Sequence, residues 1–119
     1  MTLRSVLIAT ASLLTVVSGS HASTLASGSF QADTFICRAV NVGPGPVSAL
    51  TVDIVNSGTG TVIGTHSCPK VAADHECFEA LGTATEIAFC RITSSGPASH
   101  IRGTFIGVLG TTTQVTDVR

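Results

Sequence analysis

The sequence predicts an all-β fold, a two-sheet antiparallel β-sandwich, with a small β-barrel as the alternative. Three observations carry that prediction. Thr, Val, Ser, Gly and Ala dominate, while charged residues make up 11% and aromatic residues 4% of the chain; β-branched residues with frequent turn formers favour strands. Short alternating stretches recur between turn residues at roughly the 8–12-residue spacing of sandwiches. Two matching stretches, Phe35-Ile36-Cys37-Arg38-Ala39-Val40 and Ala88-Phe89-Cys90-Arg91-Ile92-Thr93, each set a cysteine in mid-strand with an arginine after it.

The first 22 residues are read apart from the fold. Arg4 is the only early charge, residues 6–17 are apolar apart from Thr10, Ser12 and Thr15, and Ser20 and Ala22 are small residues at the cleavage positions. That is the three-part secretory signal. The apolar run is too short for a bilayer span, which takes roughly 20 residues. The expectation is a signal peptide over residues 1–22, one domain over 23–119, and a secreted protein, extracellular or periplasmic, with no membrane span after cleavage. Without Arg4 the domain keeps five basic side chains against seven acidic ones. Lys70 is the only lysine and the arginines are scattered, so nothing suggests nucleic acid, whose phosphates call for clustered cations. A domain of this size is marginal on its core alone, and disulfides would meet that need.

In chain order, residues 23–29 read as a polar, mobile lead and residues 30–33 as a short edge strand. Residues 35–42 form the first firm strand, ended by Gly43-Pro44-Gly45-Pro46, which cannot continue a ladder. Residues 47–56 alternate, with Leu50, Val52 and Ile54 on one face and Ala49, Thr51, Asp53 and Val55 on the other; that pattern marks a half-buried antiparallel strand. Ser57-Gly58-Thr59-Gly60 turns the chain into a hairpin with residues 61–68. Residues 69–76 are the most polar stretch. Residues 77–81 read as a short strand, 82–85 as a turn, 86–93 as the Cys90 strand, 94–99 as a loop and 100–109 as a strand, with 110–119 as a possible edge strand. Six or seven strands in this order fit an immunoglobulin-like sandwich arrangement.

Four cysteines allow three pairings, and the sequence by itself does not choose among them. Export makes disulfides the default over free thiols. The favoured set is Cys37–Cys90, both in mid-strand, with Cys68–Cys77 closing a short polar loop. A metal site is the competing reading. His66-Ser67-Cys68 and His75-Glu76-Cys77 repeat a His-x-Cys pattern, and two imidazoles with two thiolates could hold zinc tetrahedrally. The spacing matches no common zinc module, and an oxidising compartment favours the sulfur–sulfur bond, so no cofactor is expected.

Asp74-His75-Glu76 offers an acid–base cluster, but neighbouring loop residues point in different directions, and no Gly-x-Ser-x-Gly elbow accompanies it. The expectation is a protein that is not an enzyme. Arg38, Arg91 and Arg102 lie on strands and would share an outward face, compensated by Asp53 and Glu86 or, in the sharper reading, free to contact anions. The functional expectation is a structural or interaction role. The alternatives are an inhibitor-like binder presenting loop 68–77 through Lys70, Asp74, His75 and Glu76 to an extracellular or cell-surface protein, and a metal-dependent protein using His66 and His75.

With its segments Phe35-Ile36-Cys37-Arg38-Ala39-Val40-Asn41-Val42, Ala88-Phe89-Cys90-Arg91-Ile92 and Ile101-Arg102-Gly103-Thr104-Phe105, the chain resembles small secreted bacterial β-sandwich proteins of unknown function. The resemblance implies the sandwich and a Cys37–Cys90 bridge. It implies no catalytic residue, and the Cys68 to Cys77 loop departs from that pattern.

Overall fold

The computed structural model describes residues 22–119. The expected export signal, residues 1–22, lies outside them except for Ala22. Seven strands follow: β1 (Ser23–Ala26), β2 (Phe30–Asn41), β3 (Leu50–Asn56), β4 (Val62–Cys68), β5 (Glu76–Ser94), β6 (Ile101–Leu109) and β7 (Thr112–Val118), with a short 3-10 turn at Ala98–His100. All pairings are antiparallel, so the architecture is all-β, as the sequence indicates.

The hydrogen-bonding path runs β4-β3-β5-β2-β6-β7, and β1 joins β5 off this path. The 19-residue β5 is the hinge of the arrangement. Glu76 to Gly82 and then Glu86 to Ala88 pair with β2, while Ala88 to Ser94 pairs with β3 and the last four residues also take β1 on the other edge. The inner faces of these two halves meet in one core built from Phe35, Leu50, Val52, Ile54, Ile92 and Phe105. Strand β6 shows how tightly they meet. Its inward positions alternate Ile101, Gly103, Phe105, Gly107. A Cβ on Gly103 would lie 2.6 Å from both Ile92 Cδ1 and Val118 Cβ. Glycine is needed there because Ile92 from the opposite half and Val118 from the neighbouring strand already fill the space. Beside it, Phe30, Phe35 and Phe105 stack, with Phe30 and Phe105 centroids 4.7 Å apart.

The structure corrects three local expectations. Residues 23–29 are not a mobile lead: β1 aligns Ser23 to Ala26 with Ser94 to Arg91 and buries Leu25. The edge left open on β5 supplies ladder partners to a segment whose composition alone looked unstructured. Residues 30–33 are not a separate strand either: they open β2, where Phe30 to Ala32 pair with β5 alone and β6 joins from Thr34. Finally, residues 82–85 do not end a strand. The register jumps from Thr34↔Gly82 to Ala32↔Glu86, so the extra residues form a bulge-like bend within β5, which is how such irregularities redirect a strand.

Cys37 bonds Cys90 and Cys68 bonds Cys77, leaving no free cysteine. Cys37 and Cys90 are not ladder partners: Cys37 stands opposite Glu79 and Phe105, and Cys90 opposite Ile54. Both are fully buried, so their bond ties the two halves together through the core.

Candidate functional site

The Cys68–Cys77 bond joins the end of β4 to the start of β5, with 6.2 Å between the Cα atoms. The intervening loop lies pinned to the body. Val71 is buried and exchanges two 2.9 Å backbone hydrogen bonds with Val47. Asp74 N–H donates to the Asn41 carbonyl at 2.7 Å, and Asn41 N–H to the His75 carbonyl at 3.0 Å. Asp74 adopts φ 66°, a left-handed turn that Asp tolerates better than most residues.

Asn41 organises this region. It is fully buried at the end of β2. Its Nδ2 donates to the Gly45 carbonyl at 2.9 Å and to the Val71 carbonyl at 3.0 Å, and its Oδ1 accepts from Gly43 N–H at 3.0 Å. One amide thus joins the Gly-Pro-rich loop after β2 to the disulfide-closed loop before β5. A buried amide needs such partners, since a polar group left unpaired there costs about 1–3 kcal/mol. Sequence reading noted Asn41 only within the Phe35–Val42 segment that carries the resemblance and gave it no role. The available signal was parity: it follows Cys37 and Ala39 at period 2 and therefore points inward.

The side chains of Lys70, Asp74, His75 and Glu76 are exposed on this anchored backbone. No hydrogen bond joins Asp74, His75 and Glu76 to one another through their side chains among the described residues. Glu76 instead faces Arg38 across the ladder, with Arg38 Nε 3.1 Å from Glu76 Oε2 in an ion pair rather than an aligned hydrogen bond. Both partners are about half exposed, and such a surface pair contributes little to stability.

An open depression of about 400 Å³ lies beside the disulfide, lined by His66, Cys68, Glu76, Cys77, Phe78, Glu79 and Ala80. Phe78, 48% exposed, supplies its apolar wall. His66 and Glu76 line it but His75 does not, so the two histidines of the metal-dependent alternative do not meet in this depression. The four-residue metal set His66, Cys68, His75 and Cys77 is not assembled either. His66, Cys68 and Cys77 hold their ligand atoms within 4.8 Å of one another, with His75 outside the group, and the two sulfurs are bonded to each other. Phe78 and Glu79 were missed in the sequence because strand alternation shows which residues face out without showing what they face.

The arginines separate. Arg38 and Arg102 fall on the same outer face of β2 and β6. Arg91 lies on the outside of the other half, where its Nε and Nη2 donate to Asp53 Oδ2 at 3.3 and 3.0 Å; Thr65 donates to Asp53 Oδ1 at 2.6 Å. Arg38 and Arg91 each follow an inward cysteine, and the two cysteines face each other, so these two arginines point in opposite directions. Of the expected compensating acids, Asp53 pairs with Arg91, whereas Glu86 accepts from Thr83 and Asn56. A larger depression, about 580 Å³, lies between Leu25, Ile101, Arg102, Asp117 and Arg119. There Arg119 is paired with Asp117 at 3.4 Å, and Arg102 and Thr104 supply the other polar side chains of the lining.

No described helix is long and apolar enough to cross a membrane. No protein-family profile, curated protein or solved structure matches the chain.

Proposed function

We propose that the protein is exported by the signal in residues 1–22 and acts outside the cytoplasm as a non-enzymatic interaction module. Its working surface is loop 69–76 with the adjoining Phe78, offered to an extracellular or cell-surface protein, and it uses no cofactor. The observation that carries this reading is the contrast within the loop. Its backbone is fixed by the Cys68–Cys77 bond, the Val47–Val71 bridge and Asn41, while the side chains of Lys70, Asp74 and His75, and of Glu76 beside Arg38, are exposed to a partner. A loop ordered before binding loses less conformational entropy on association, which is the general advantage of preorganisation. The two disulfides support an oxidising location.

Site-specific photo-crosslinking on the native producing cells tests this. A crosslinker at position 70 or 75 is expected to capture one discrete extracytoplasmic protein, and Lys70→Glu with Asp74→Lys is expected to abolish capture. A crosslinker at position 113, on β7, serves as the control. Equal capture from position 113, or capture indifferent to the charge reversal, sinks the proposal. Intact mass of the exported protein is expected to show a chain beginning at Ser23 with all four cysteines oxidised; a retained N-terminus refutes the export step.

A further inference from the structure

We infer that the Cys68–Cys77 bond masks a binding site for a thiophilic divalent cation, made of His66, Cys68 and Cys77 and opened by reduction. This inference stands apart from the binding role proposed above and requires neither a partner nor export.

The donor set is assembled before any metal arrives. His66 sits two residues before Cys68 on β4, and Cys77 is the second residue of β5. Strand alternation turns His66 and Cys68 to one side, and the disulfide brings Cys77 against them. The imidazole nitrogen and both sulfurs lie within 4.8 Å of one another. Tetrahedral zinc, with Zn–S of about 2.3 Å and Zn–N of about 2.0–2.1 Å, needs its ligand atoms about 3.5–3.8 Å apart. Once the sulfur–sulfur bond is broken, side-chain rotation separates the sulfurs, while the Cα atoms, already 6.2 Å apart, keep their places. Glu76 and Glu79 line the depression beside these donors, and a carboxylate or a solvent water would take the fourth position. Two thiolates and an imidazole suit Zn²⁺ better than a hard cation such as Mg²⁺.

The structure also gives the two disulfides unequal access. Cys37 and Cys90 are both 0% exposed, whereas Cys68 is partly exposed at the rim of the depression beside exposed His66. Exchange requires a thiolate to reach a sulfur, so a dithiol reaches Cys68 first. Its first thiolate bonds to Cys68 Sγ and displaces Cys77 as thiolate; its second sulfur then displaces Cys68. Two electrons pass to the protein sulfurs and the dithiol leaves as a cyclic disulfide. The two protons lost by the dithiol end on Cys68 and Cys77, and both are released to buffer when Zn²⁺ binds. The frame survives this opening because loop 69–75 stays attached through Val71 and Asn41.

The test is a zinc titration of the full domain, oxidised and after brief treatment with a dithiol that is then removed anaerobically. Mass spectrometry of alkylated samples identifies which cysteines opened, and far-UV circular dichroism records the fold. The oxidised protein is expected to bind no zinc. The reduced protein is expected to bind one equivalent with Cys37–Cys90 intact, and zinc is expected to protect Cys68 and Cys77 from alkylation. His66→Ala is expected to weaken binding at least about tenfold by removing a direct ligand, and His75→Ala to leave it unchanged. Absence of zinc binding by the reduced, folded protein overturns the inference. So do prior opening of Cys37–Cys90, unfolding on opening of Cys68–Cys77, and equal effects of the two histidine substitutions.

Discussion

Asn41 is the residue whose replacement most directly tests how the loop beside the depression is held. Asn41→Ala removes three hydrogen bonds from a fully buried site. At about 0.5–1.5 kcal/mol each, the expected loss is about 2–4 kcal/mol, a large share of the ~5–15 kcal/mol typical of a domain. With urea slopes of about 1–3 kcal/mol/M, the unfolding midpoint should fall by about 1–2 M. Asn41→Asp is the more discriminating change. It keeps an oxygen to accept from Gly43 N–H but replaces the donor that faces the Gly45 and Val71 carbonyls at 2.9 and 3.0 Å. An ionised carboxylate there opposes two carbonyl oxygens in a dry site; a protonated one can donate to one of them. The folded-state pKa of the introduced carboxyl is therefore raised above its unfolded value of about 3.9. The folded form then binds more protons than the unfolded form between those two values, so the variant loses stability as pH rises through that window. Each unit by which the pKa is raised adds about 1.4 kcal/mol to the deficit at pH 7 relative to acid. Urea unfolding followed by circular dichroism at pH 4 and pH 7, each referenced to the wild type, reads the difference. Equal deficits at both pH values, or an Asn41→Ala loss below about 0.5 kcal/mol, would refute the assigned hydrogen-bond geometry.

Two further changes test the core. Gly107→Ala places a methyl against the Phe30 ring, whose Cδ1 would lie 2.8 Å away with Ala32 Cβ at 3.1 Å. The expected cost is about 1–3 kcal/mol by thermal melting, largely absent in a Phe30→Ala background where the space is vacated; a cost unchanged in that background would count against the clash. Replacing both Cys37 and Cys90 by alanine should destabilise more than replacing Cys68 and Cys77, by the chain-entropy relation about 4.2 against 2.7 kcal/mol for separations of 53 and 9 residues. Guanidinium unfolding without reductant ranks them, and a reversed order would show that the short loop, not the core bridge, holds the fold.

How far the site could be read from the sequence differs residue by residue. Cys68, Cys77 and the polar residues between them stood out because cysteines flanking a turn in a chain read as exported invite closure. Whether that loop would splay or lie down was not legible, since Val71 needed Val47 and the Asn41 amide, 24 and 30 residues away, to be brought within hydrogen-bond reach by the fold. His66 was legible as a neighbour of Cys68 by alternation. His75 was not separable from it, because a left-handed residue at Asp74 reorients the chain just before Cys77, and period-2 reasoning stops at such a residue.

The two Cys-Arg strands show the same division. Alternation within each segment determined that cysteine points in and arginine out, and that Leu50, Val52 and Ile54 share a buried face, because successive side chains in any strand alternate. The sequence likewise determined the β class and the β3–β4 hairpin, both of which rest on local pattern and turn chemistry. Only the tertiary structure decided that Gly82-Thr83-Ala84-Thr85 bends β5 without ending it, since β2 continues alongside on both sides of the bend. It also decided that Ser23–Ala26 finds an open edge, and that Arg38 and Arg91 end on opposite outer surfaces. Strand continuity and facing are set by hydrogen-bond partners distant in the chain, and no local window of residues contains them.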